Sequence, residues 1–111
     1  IMGKEGIGIK GEFMKDMTNR CNELMKKVEN KQKLTYNEFI EIISYGLEMQ
    51  FYYKKRKFGI THFAGYEFYE WEKEEGYQNY DTIEDFSNKI NIEGLLVKDI
   101  WDNVSRVNFA D

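Results

Sequence analysis

The chain has one cysteine, one histidine, three serines and no long apolar run, and each shortage closes a class of function. Cys21 has no second cysteine to pair with, the usage expected of a protein kept in a reducing, cytoplasmic compartment. His62 is the single histidine and Cys21 belongs to a different element, so neither a cysteine-histidine nucleophile nor a histidine-based metal site has support. Ser44, Ser87 and Ser105 lie outside any nucleophile-elbow pattern. The glycines between Gly3 and Gly11 lack the closing Gly-Lys-Ser/Thr of a phosphate loop. A membrane span takes about 20 consecutive apolar residues. The longest runs here are Phe51-Tyr52-Tyr53 and Leu95-Leu96-Val97. Residues Ile1 to Phe13 are glycine-rich and charged, without the apolar stretch of a secretory signal. These shortages lead to the expectation of a non-enzymatic protein with no cofactor and no metal.

What is present is a single-core length of 111 residues and an uneven charge. Residues 1–65 hold twelve basic and eight acidic side chains, whereas residues 66–102 hold three and eleven. A net charge of −4 speaks against a protein that coats nucleic acid, and the division by sign marks either two solvated faces of opposite sign or a steering and binding face.

The apolar period assigns the elements. Phe13, Met14, Met17, Cys21, Leu24, Met25 and Val28 recur at three- and four-residue steps, an amphipathic helix expected to pack in the core or in a dimer. A methionine-lined docking groove is the competing use of that stripe. Residues 1–33 form this extension and helix, and residues 34–111 the α+β domain. Thr35 and Glu38 have the spacing of a capping box opening a second helix, with Phe39, Ile40, Ile42 and Ile43 on its buried face and Gly46 closing it. The period then drops to two. With Lys54-Lys55 as a two-residue turn, Phe51 faces Phe58, Met49 faces Ile60 and Tyr52 faces Lys57; a four-residue loop over Lys54 to Lys57 is the competing geometry. A third strand over Tyr66 to Glu72 turns either Phe68, or Tyr69 with Trp71, inward. Tyr77 to Tyr80 makes a short fourth strand, and Asp81 or Thr82 caps a helix bearing Ile83, Phe86 and Ile90. Val97, Ile100, Trp101 and Val104 mark one more short helix, and Val107 with Phe109 a terminal strand or tail. The expected fold is α+β: N-terminal helices, a three- to four-stranded antiparallel meander, and two short C-terminal helices on one sheet face.

Eleven aromatic residues fall between Phe51 and Tyr80, more than one buried sheet face hides. Exposed tyrosine and tryptophan beside charge is the composition of an interface. The candidate partner-binding residues are therefore Tyr66, Glu67, Tyr69, Glu70, Trp71, Glu72, Glu74, Glu75 and Tyr77, set against a protein with a basic surface. The alternative is a nucleic-acid-binding module in which Lys54, Lys55, Arg56 and Lys57 grip phosphate beside Tyr52. His62, on the Phe58 and Ile60 side of its strand, is expected to be a packed, hydrogen-bonded residue.

The segments Thr35-Tyr36-Asn37-Glu38-Phe39, Glu48 to Tyr53, Phe58-Gly59-Ile60-Thr61, Ile92-Glu93-Gly94 and Lys98-Asp99-Ile100-Trp101-Asp102 resemble a group of small uncharacterised proteins of bacteria and their phages. In that group a capped helix leads into a hairpin, an aromatic strand and a helix ending in a similar Ile-Trp-Asp. The resemblance covers about Leu34 to Val104. Members often carry Asn-Gly where this chain has Lys54-Lys55. The resemblance implies a bacterial or prophage setting in the cytoplasm, where small acidic proteins are often inhibitors or regulators of larger machines. The sharper form of the expected binding function is an anti-defence inhibitor of the anti-CRISPR or anti-restriction type.

Overall fold

The computed structural model describes residues 18–110. Phe13, Met14 and Met17 of the methionine stripe lie outside the described residues. A helix through residues 18–29 (α1) is followed by α2 (Tyr36–Ser44), β1 (Met49–Tyr53), β2 (Arg56–Thr61), β3 (Tyr66–Glu70) and β4 (Gln78–Tyr80). Then come α3 (Ile83–Lys89), β5 (Asn91–Ile92), β6 (Leu95–Leu96), α4 (Val97–Ile100) with a 3-10 turn at Trp101–Asn103, and β7 (Ser105–Phe109). The class is α+β, as expected, with an antiparallel sheet in the order β4-β3-β2-β1-β7 and a separate β5-β6 pair. The sheet has five strands because Val107 and Phe109 do form a strand, which pairs with β1 across a bulge between Gln50 and Tyr52.

α2 starts where the capping box requires. Thr35 Oγ1 accepts from the Glu38 amide at 3.1 Å, and the Glu38 carboxylate accepts from the Thr35 amide at 2.9 Å. Gly46 ends it at φ +92°, its amide donating to the Ile43 carbonyl. α1 is strapped to α2 by Arg20–Glu41 and Lys27–Glu38 ion pairs, and Leu24 and Val28 sink into the same core as Phe39, Ile42 and Ile43. Cys21 and Met25 are only partly buried.

The hairpin adopts the two-residue register, with Phe51 opposite Phe58, Met49 opposite Ile60 and Tyr52 opposite Lys57. Lys54 and Lys55 both take the left-handed conformation, at φ 49° and 66°, that such a turn needs to follow the strand twist. Strand alternation sends Met49, Phe51, Tyr53, Phe58, Ile60 and Phe68 to one face, where α2, α3 and Trp101 cover them. Trp101 anchors that layer. Its Nε1 donates to the Leu34 carbonyl at 2.8 Å, and its ring meets Phe39 at 4.5 Å and Phe51 at 5.7 Å. Phe68 is thus the inward residue of β3, and Tyr69 belongs to the opposite face.

Candidate functional site

The sheet face that no helix covers among the described residues is built from three cross-strand rows. Tyr52 and Lys57 form one, and Trp71 extends it, its amide donating to the Lys57 carbonyl at 2.8 Å. Gln50, Gly59 and Tyr69 form the middle row. Thr61, Glu67 and Asn79 form the third. Gly59 supplies no side chain, and the Tyr69 ring lies down over the space. There it stacks on Tyr77 at 5.0 Å and 7° and lies 6.3 Å from Trp71.

These rings wall an open concavity of about 840 Å³, which Glu48, Glu67 and Glu72 line with carboxylates and Thr61, His62 and Phe63 complete. Phe63 is 94% exposed, Tyr77 52% and Trp71 37%, so large apolar area meets water around the site. Phe63 is presented by its own loop: the Glu67 carboxylate accepts from the amides of Phe63 and Ala64 and from the Thr61 hydroxyl. Gly65 at φ +116° closes that loop against the Tyr80 carbonyl, which a β-carbon would approach to 2.8 Å. His62 Nε2 lies 3.0 Å from the Leu47 carbonyl, which only accepts, so Nε2 carries the proton; the ring also packs edge-on to Tyr66. Burial, and then Tyr77, Glu48 and Glu67 nearby, raises the Tyr69 phenol above its ordinary pKa.

Of the nine residues singled out in the sequence, the structure brings five together: Glu67, Tyr69, Trp71, Glu72 and Tyr77. Tyr66 faces inward against Phe86. Glu70 also leaves the group, since it takes Arg56 in a two-point pair at 2.7 and 3.0 Å with Lys73 beside it, and Arg56 holds its carboxyl below the usual range. Glu74 and Glu75 sit exposed on the β3–β4 connection. Glu48, Thr61, His62 and Phe63 are the additions. Thr61 was traceable from its pairing with Glu67, and Glu48 from its place one step beyond the Met49 and Ile60 pair.

Three of the four basic side chains at the hairpin tip have neighbours within the fold. Arg56 is held by Glu70 and Glu93, Lys57 Nζ rests 4.0 Å from the Trp71 ring centre, and Lys54 Nζ lies 5.4 Å from the Tyr53 ring. Tyr52 is covered by the Arg106 guanidinium at 5.4 Å. Among the described residues, no three His, Cys, Asp or Glu side chains are grouped to hold a metal ion, and no helix is long and apolar enough to cross a membrane. No protein-family model, no curated protein and no solved structure matches the chain.

Proposed function

We propose that this chain is a non-enzymatic binding protein that captures a basic partner protein on the uncovered face of its sheet. The observation that carries the reading is the convergence of Tyr69, Trp71 and Tyr77 with Glu48, Glu67 and Glu72 around one concavity. Buried aromatic anchors supply most of the energy of protein interfaces, and a rim of one charge selects a partner of the other. A fold with Phe63 and Tyr77 held in water forgoes burial that the isolated chain would otherwise gain. In its sharper form the reading is an anti-defence inhibitor of the anti-CRISPR or anti-restriction type in a bacterial or prophage cytoplasm. There a local acidic patch would compete for a partner's nucleic-acid groove, which accords with the modest net charge of −4.

Affinity capture from the native host tests the reading. The wild-type chain is expected to retain a partner that the Tyr77→Ala, Glu72→Lys double variant loses while melting at nearly the wild-type temperature. Retention of the same partner by the folded double variant would contradict it.

A further inference from the structure

We infer that the concavity receives an arginine side chain from an extended segment of the partner protein, its guanidinium stacked against the Tyr69, Tyr77 and Trp71 group and paired with the carboxylates beside it. The inference rests on the binding face proposed above and names what fills it.

Four observations converge on that chemistry. The rings are flat and nearly parallel: Tyr77 stacks on Tyr69 at 5.0 Å and 7°, too close to admit a guanidinium between them, so the half-exposed Tyr77 offers its outer face, and Trp71 is tilted 27° from Tyr69. Aromatic faces carry the negative lobe of the ring quadrupole and attract cations. The chain already uses one such face in that way, with Lys57 Nζ 4.0 Å from the Trp71 centroid. Glu48, Glu67 and Glu72 make no ion pair among the described residues, whereas Glu70, one residue from Tyr69, is fully engaged by Arg56 and Lys73. Glu48 and Glu72 are therefore left for an outside cation, whereas Glu67 Oε1 already accepts from the Phe63 and Ala64 amides and the Thr61 hydroxyl. Finally, about 840 Å³ lies within the roughly 300–1,000 Å³ of small-ligand clefts, ample for one long side chain with its flanking backbone.

Arginine fits better than lysine. Its guanidinium is planar, weakly hydrated and able to stack, and its fork of donors reaches a carboxylate while the plane lies on a ring. A lysine ammonium is a compact, strongly hydrated point charge and gains less from flat walls.

The test is a titration of the isotopically labelled chain with the blocked tripeptide acetyl-Gly-Arg-Gly-amide at low ionic strength, followed by the Trp71 indole N–H and the Tyr69 and Tyr77 amides. The expected result is saturable shifts at these three residues, with affinity about threefold weaker for the lysine peptide and no saturable shift for the citrulline peptide, which keeps the shape and lacks the charge. Tyr77→Ala and, separately, Glu72→Gln are each expected to weaken the arginine peptide about threefold or more. Equal binding of citrulline and arginine, or arginine shifts confined to another surface, would overturn the inference. If the arginine peptide fails while Tyr77→Ala with Glu72→Lys still abolishes partner capture, the arginine assignment falls and the binding face stands. If both fail, both fall.

Discussion

The hydroxyl end of Tyr69 occupies the place where a side chain at position 59 would stand: a β-carbon on Gly59 would meet the Tyr69 Cζ and hydroxyl oxygen at 2.7 Å each. The absence of a side chain in β2 thus shapes the surface two strands across from β1. Gly59→Ala is expected to keep the fold, because no left-handed backbone is required there, while lifting Tyr69 off the sheet and out of register with Tyr77. Circular dichroism in the far ultraviolet should be unchanged, and partner or arginine-peptide affinity should fall about tenfold, the size of losing one aromatic anchor. Unaltered affinity would mean that the Tyr69 position is irrelevant to binding.

The turn at Lys54 and Lys55 carries two non-glycine residues at positive φ. Left-handed backbone costs about 1 kcal/mol per ordinary residue. Lys54→Asn with Lys55→Gly therefore stabilises the chain by about 1 kcal/mol in urea unfolding. A loss of stability would place the turn elsewhere.

Glu38, Glu41 and Glu70 are each held below the ordinary carboxylate value of 4.5, chiefly by hydrogen bonds from Lys27, Arg20 and Arg56 respectively. Their folded pKa values lie below the unfolded ones, so the stability they contribute is complete above about pH 4.5 and is lost as pH falls through the folded values. Unfolding midpoints should be flat from pH 7 to about 5 and drop below about 4.5. Glu70→Gln is expected to cost about 1 kcal/mol at pH 7 and to make the acid limb shallower. An acid limb of unchanged steepness would remove Glu70 from the account.

Gln50 is 8% exposed, and its Oε1 is buried without a hydrogen-bond partner among the described residues. An unpaired buried acceptor forfeits its hydration. Gln50→Met, close in volume, should raise stability by about 1 kcal/mol, read as a higher urea midpoint with the same slope. A lower midpoint would show that the amide has a partner in solution.

Much of the fold was legible because local chemistry agreed with the tertiary structure. The Thr35 and Glu38 spacing is a capping box, and matching apolar positions either side of Lys54-Lys55 set the hairpin register. The facing of β3 was not legible, since Phe68, Tyr69 and Trp71 are all apolar enough to be buried. The choice depends on Gly59, whose bare backbone makes room for Tyr69 on one face while Phe58 and Phe68 stack at 5.5 Å on the other. Glu70 looked like a patch carboxylate because its ion-pair partner, Arg56, comes from the neighbouring strand. The β1–β7 pairing joins residues some sixty positions apart, a relationship that no local pattern encodes. The site was half legible for the same reason: its aromatic walls lie in one segment, and Glu48, Thr61 and Phe63 arrive through strand pairing and a turn.

The most direct test of the central claim is site-specific photo-crosslinking in the native host, with the photoreactive residue benzoyl-phenylalanine placed at Phe63, at Tyr77 or at Lys55. The uncovered sheet face as the binding surface predicts adducts from positions 63 and 77, mapped by mass spectrometry to a segment of the partner bearing arginine or lysine, and none from the hairpin tip at 55. Adducts from position 55 alone would contradict it.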